Sequence, residues 1–179
     1  YQFSYTYSAT LLREMRDKKH NHEPLKEFAA FAPFYTGDTL IMMDPGSITS
    51  TRQGFKPLPY SKVEVNELHK MMGGDVAAGA YATEQRFVDI AGDYRILHLA
   101  THGVADNRVG DYAYLAFSEI KDSIENEFLY VKDLYNLELN ADLVVLSACE
   151  TGVGKLQRGE GIISLARAFA YAGAQSIIT

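Results

Sequence analysis

One cysteine, Cys149, stands in a chain of 179 residues. A single thiol excludes an internal disulfide framework and any zinc cluster built on cysteines, and it suits a reducing compartment. Excess positive charge is also absent. Lys and Arg number 17 against 23 Asp and Glu, for a formal net charge of -6. No basic face of the kind nucleic acid requires is expected, so no nucleic acid is expected to bind directly. Long hydrophobic runs are missing too. The longest apolar tract, Gly161 to Thr179, is broken by Arg167 and Gln175 and does not read as a membrane span. No charged segment followed by an apolar core opens the chain. The expected location is therefore cytoplasmic, without a membrane partner. The chain starts without Met and stops in "GAQSIIT", where a strand has just begun, so the expectation is an excised piece of something longer.

What is present is an ordinary globular composition, 47% hydrophobic and 22% charged, long enough for a sizeable core. "QFSYTYS" alternates like a half-exposed strand, and "ATLLREMRDKKH" suits a helix with late basic residues. "KEFAAFAPF" reads as a buried strand ending near Pro33, followed by a long turn-rich loop. "YSKVEVNELHKMM" reads as a helix with a capping box of Ser61 and Glu64, closed by Gly73 and Gly74. "DVAAGAY" is a short strand. "ATEQRFVDIAG" is a helix capped by Thr83 and closed by Gly92. "YRILHLATHG", "AYLAFSEI", "FLYV" and "ADLVVLSA" are strands, and "VKDLYNLEL" is helical. "LQRGEGIISLARAFAYAG" is a long helix with Ile162, Ile163, Leu165, Ala166, Phe169 and Ala170 on one stripe and Gly173 at its end. This alternation predicts an α/β fold with a mostly parallel central sheet and helices on both faces.

In such sheets ligands gather beyond the C-terminal ends of the strands. Two strands leave through unusual tips, "ILHLATHGVADN" and "VVLSACETGVG". If these strands are neighbours, His102 and Cys149 face each other across one crevice. A thiol has a pKa of about 8.5 and reacts as thiolate. A nearby imidazole can take its proton and later protonate a leaving amine. Gly103 can bring its N–H close to a developing oxyanion, because it has no side chain, and the N–H of Cys149 is the natural second donor. Asp106 and Glu150 are candidates to bind a basic side chain of a substrate or to orient His102. The structural alternative for each is a solvated loop charge, and for Cys149 a buried inert thiol.

A Cys with a His roughly 50 residues upstream also has the layout of a caspase, without the caspase local signature. "HLATHG", "LSACETG" and "GEGIISLARAFAYAGAQSIIT" together resemble a CHAT domain, a caspase- and separase-related family often attached to tetratricopeptide repeats. The resemblance runs from about Ala32 to Thr179 and is dense from Tyr94 onward. It implies a caspase-like three-layer sandwich and a Cys/His endopeptidase, with Cys149 as nucleophile and His102 as its partner. It makes the "RGEG" turn with Arg158 and Glu160 a site neighbour. It also implies that the C-terminal part of the domain is missing, and that a parent chain carries upstream tetratricopeptide repeats. Residues 1–31 are then a strand–helix lead-in and 32–179 the domain. The expected partner is a protein or peptide substrate, and no metal or organic cofactor is called for. The acidic balance leans toward a basic residue before the cleaved bond. The alternative is an inactive or latent protein-interaction module.

Other motifs lead elsewhere and fail. His98 lies four residues before His102, but the stretch is strand into loop, where such spacing does not put two zinc ligands on one face. His98 is expected to be buried and hydrogen-bonded. "ETGVGKLQRG" links a strand to a helix, yet a Walker loop would need glycine at Cys149 and Ser or Thr at Leu156.

Overall fold

The computed structural model describes residues 10, 13, 17, 20, 22–33, 58–104, 113–118, 128–147 and 160–179. Its elements run β1 (Lys26–Ala32), α1 (Ser61–Met72), β2 (Asp75–Ala78), a 3-10 turn (Gly79–Tyr81), α2 (Glu84–Ile90), a second 3-10 turn (Ala91–Asp93) and β3 (Tyr94–Leu99). There follow β4 (Gly103–Val104), β5 (Tyr114–Ala116), β6 (Phe128–Tyr130), α3 (Val131–Leu134), β7 (Leu143–Leu146), α4 (Glu160–Ala172) and β8 (Ile177–Ile178). Five strands form one sheet in the order β2-β1-β3-β7-β8, and every neighbouring pair is parallel.

The central strands explain themselves. Phe28 through Ala32 are all 0–1% exposed. A parallel strand covered on both faces must read as a continuous apolar run, and β1 does. Successive side chains still alternate. Phe28, Ala30 and Ala32 join Val65 of α1 and Ala100, with Leu68 and Ile96 packed against them, on one face. Ala29, Phe31, Leu97, Leu99, Val144 and Leu146 join Phe87 of α2, Leu134 of α3 and Phe169 of α4 on the other. Helices thus cover both faces, as the pattern predicted. On the second face four phenylalanines interlock. Phe31 meets Phe87 edge-on at 5.4 Å and Phe117 at 6.1 Å, and Phe87 meets Phe169 at 6.4 Å.

Several local readings hold. Thr83 Oγ1 accepts from the Arg86 N–H at 3.2 Å, capping α2. Gly173 ends α4 at φ 134°, and its N–H donates to the Phe169 carbonyl at 3.1 Å. Leu165, Ala166, Phe169 and Ala170 of the predicted stripe are buried, whereas Arg167 and Tyr171 of the same helix are exposed. The side chains of Ile162 and Ile163 lie outside the description, as do the "QFSYTYS" strand, the 34–57 loop and the "LQR" start of the long helix. Thr10, Arg13 and Asp17 are helical.

Two readings are corrected. The capping box does not form: Tyr60 is the N-cap of α1, no side chain caps it, and Ser61 Oγ donates to the Leu58 carbonyl at 2.8 Å. Glu64 turns instead to His98. "AYLAFSEI" and "FLYV" are strands, as expected, and lie outside the parallel sheet. They form β5 and β6 of a separate antiparallel sheet with β4. "VKDLYNLEL" is helical only through Leu134, since the Asn136 and Leu137 N–H groups bond three residues back and tighten the chain into a turn.

Candidate active site

The strands β3 and β7 are parallel neighbours, and Leu99 pairs with Leu146. His102 follows Leu99 by three residues in the sequence, and Cys149 follows Leu146 by three. The two tips therefore leave the same end of the sheet from adjacent strands at equal offsets. Cys149 itself, with Asp106, Glu150 and Arg158, lies outside the described residues. Glu160 begins α4. Ser147, just past β7, is exposed.

His102 is 1% exposed and Thr101 0%. The His102 imidazole therefore sits away from bulk water, where polar interactions strengthen. Its backbone is tied to β5. The Ala116 N–H donates to the His102 carbonyl at 2.9 Å, and the Thr101 hydroxyl donates to the Ala116 carbonyl. Gly103 then pairs with Leu115 and Val104 with Tyr114. The bond from Ala116 to His102 makes Gly103–Leu115 a non-hydrogen-bonded pair of this antiparallel ladder, so the Gly103 N–H points away from β5.

The same ladder lines up a row of rings. Ala116 pairs with Phe128 and Tyr114 with Tyr130. Tyr114 lies 4.3 Å from Phe128 and 5.4 Å from Tyr130, centroid to centroid, and Lys132 Nζ stands 5.2 Å over the Tyr130 ring. Tyr114, Ala116, Phe128 and Tyr130 share one face of the small sheet, while Leu115 and Leu129 point into the main core.

His98 is buried, and its Nε2 meets Glu64 Oε1 at 2.8 Å. It belongs to the α1 face of β3, alternate to Leu97 and Leu99. The expectation of a buried, hydrogen-bonded His98 holds. Among the described residues no group of three or more His, Cys, Asp or Glu could hold a metal ion.

The opposite end of the sheet carries charge. Asp75 accepts from Lys26 Nζ at 2.9 Å and from the Tyr94 hydroxyl, and Lys26 reaches the Tyr94 hydroxyl at 3.1 Å. The Tyr94 and Lys26 hydrogen bonds hold the Asp75 carboxyl below its usual range. Burial, then the Asp75 bond, pushes the Tyr94 phenol up, and the Asp75 and Tyr94 bonds raise Lys26. Nearby, Asp142 meets His20 Nε2 at 2.7 Å and Arg95 at 2.9 Å. The His20 bond, with Arg95, lowers the Asp142 carboxyl. His22 Nε2 and Asn140 Nδ2 are 3.0 Å apart, and Asn140 donates to the Gly92 carbonyl at 2.9 Å.

Sequence reasoning named His102 and Gly103 but missed the Thr101–Ala116 tie and the ring row. The alternation of "AYLAF" beside "FLY" was the available signal for the row. Nothing local signals the tie, because its partners are 15 residues apart. No helix of the described residues is long and apolar enough to cross a membrane. The family model for the CHAT domain matches residues 1–179. No curated protein matches the chain.

Proposed function

The chain belongs to the CHAT-domain family, a caspase-like family, and from that premise we propose that it is a cysteine endopeptidase using a Cys149/His102 dyad. The observation that carries the reading is the β3–β7 register, in which Leu99 pairs with Leu146 and each precedes its tip residue by three positions. In this mechanism the Cys149 thiol passes its proton to His102, and the sulfur attacks the scissile carbonyl. The carbonyl oxygen becomes an oxyanion held by the N–H groups of Gly103 and Cys149. Each such donor contributes about 3–4 kcal/mol to lowering the barrier. The Gly103 N–H lies outside the β4–β5 ladder, which suits that use. The carbon–nitrogen bond then breaks, and the leaving amine takes the proton from His102. Water, deprotonated by His102, attacks the thioester, and the acid leaves as the thiol is restored.

The substrate is a protein segment bound in extended form. Asp106 and Glu150 would receive a basic side chain beside the cleaved bond. The setting is cytoplasmic, and tetratricopeptide repeats upstream in a parent chain would present the substrate. One observation favours a second reading, a latent or inactive interaction module: His102 is 1% exposed. A peptide library incubated with the protein and with its Cys149→Ala variant separates the two. The peptidase reading expects cleavage by the first alone. Equal cleavage by both, or none by either when the full parent protein is used, defeats it.

A further inference from the structure

The chain does not pass from β3 to β4 unassisted. Thr101 is fully buried, and its hydroxyl donates to the Ala116 carbonyl. Ala116 also donates its own N–H to the His102 carbonyl at 2.9 Å. Ala116 thus holds two consecutive residues of the "ATHG" tip at once, one through a side chain and one through the backbone. Ala116 is itself fixed, since it pairs with Phe128 and is 0% exposed. An unpartnered buried hydroxyl would be costly, which favours keeping this bond.

We propose that Thr101 is a positioning residue for His102: its hydroxyl sets the backbone from which the imidazole projects, and so the readiness of that imidazole to take the Cys149 proton. The inference rests on the dyad proposed above. Serine supplies the same hydroxyl. Valine supplies the same shape without it and removes this hydrogen bond to the Ala116 carbonyl. Loss of coupling returns the thiol toward its ordinary pKa of about 8.5, and each unit of rise lowers the thiolate fraction about tenfold at lower pH.

The test measures iodoacetamide alkylation of the Cys149-bearing peptide by mass spectrometry across pH, in the full chain. Urea unfolding of each variant is recorded alongside. Wild type is expected to react well below pH 8. Thr101→Val should react about tenfold more slowly near pH 6.5 with its midpoint displaced upward, and Thr101→Ser should stay within about twofold of wild type. A Thr101→Val profile that superimposes on wild type overturns the role of Thr101, as does a Thr101→Ser variant as slow as Thr101→Val. If Thr101→Val does not fold, Thr101→Ala replaces it: Ser like wild type and Ala slowed supports the role, and Ser and Ala alike overturns it. His102→Ala keeps the two failures apart. If it reacts like wild type at every pH, the dyad itself is wrong, whatever Thr101 does.

Discussion

Glu64 and His98 are joined across 34 positions of sequence by one contact of 2.8 Å, and removing it should reveal what holds α1 to the sheet. The His98 side chain is 7% exposed, and that of Glu64 is 36% exposed. Glu64→Leu leaves a buried imidazole nitrogen without its partner, at a cost of about 1–3 kcal/mol. In a domain of this size roughly 2 kcal/mol lowers Tm by about 4–8 °C. His98→Leu should be milder, because the freed carboxylate can turn to water and leucine suits the apolar neighbours Val65 and Ala100. In the double variant no buried polar group is stranded, so Glu64→Leu should add little to His98→Leu. The double-mutant cycle should then give a coupling of about 1–2 kcal/mol. Urea unfolding at constant m-value reads each corner. Strict additivity would refute the reasoning. If Glu64 acted by capping α1, its loss would be equally harmful whether or not His98 were present.

Four further outcomes follow from the structure. Gly73→Ala and Gly74→Ala both force a side chain into left-handed backbone, at φ 72° and 84°, but only at Gly74 would the new Cβ strike backbone, 2.2 Å from the Phe28 carbonyl oxygen. Each should lose about 1–3 kcal/mol to strain, and Gly74→Ala about 1–3 kcal/mol more to overpacking, read as a lower urea midpoint. Phe87→Ala opens the interlocked phenylalanine cluster and should destabilise by about 3–5 kcal/mol. Tyr135→Ala breaks a ring pair with Tyr171 that is exposed, and its loss should stay below about 1.5 kcal/mol in the same assay. Asp142 has its carboxyl pKa lowered by His20 and Arg95, so its contribution is complete above about pH 4 and fades as pH falls through the folded value. The stability gap between wild type and Asp142→Asn should therefore be level near neutrality and close in acid, and a gap unchanged down to pH 3 would contradict it.

Much of this arrangement is legible in the amino-acid order, for identifiable reasons. β1 and β3 are nearly continuous apolar runs because helices cover both of their faces, and such runs can be recognised without a partner. The equal offset of His102 and Cys149 from Leu99 and Leu146 is also written in the sequence, once the two strands are taken as neighbours. Illegible were the features that depend on a distant partner. Ser61 and Glu64 satisfy a local capping pattern, but His98 competes for the carboxylate and wins, because a buried imidazole needs a partner more than a helix end near solvent does. β5 and β6 have the residue types of any strand, and their antiparallel pairing with β4 depends on partners distant in the sequence. Thr101 carries no local mark at all.

The ionic belt of Lys26, Asp75, Tyr94, Arg95 and Asp142 sits at the strand beginnings, and the His102 tip at their far end, roughly 20 Å away along β3. That distance lets footing and edge be altered separately. An engineer seeking a hardier variant can rework the footing with new charge pairs and leave the edge alone. Salt would weaken the exposed pairs of the footing without reaching the edge.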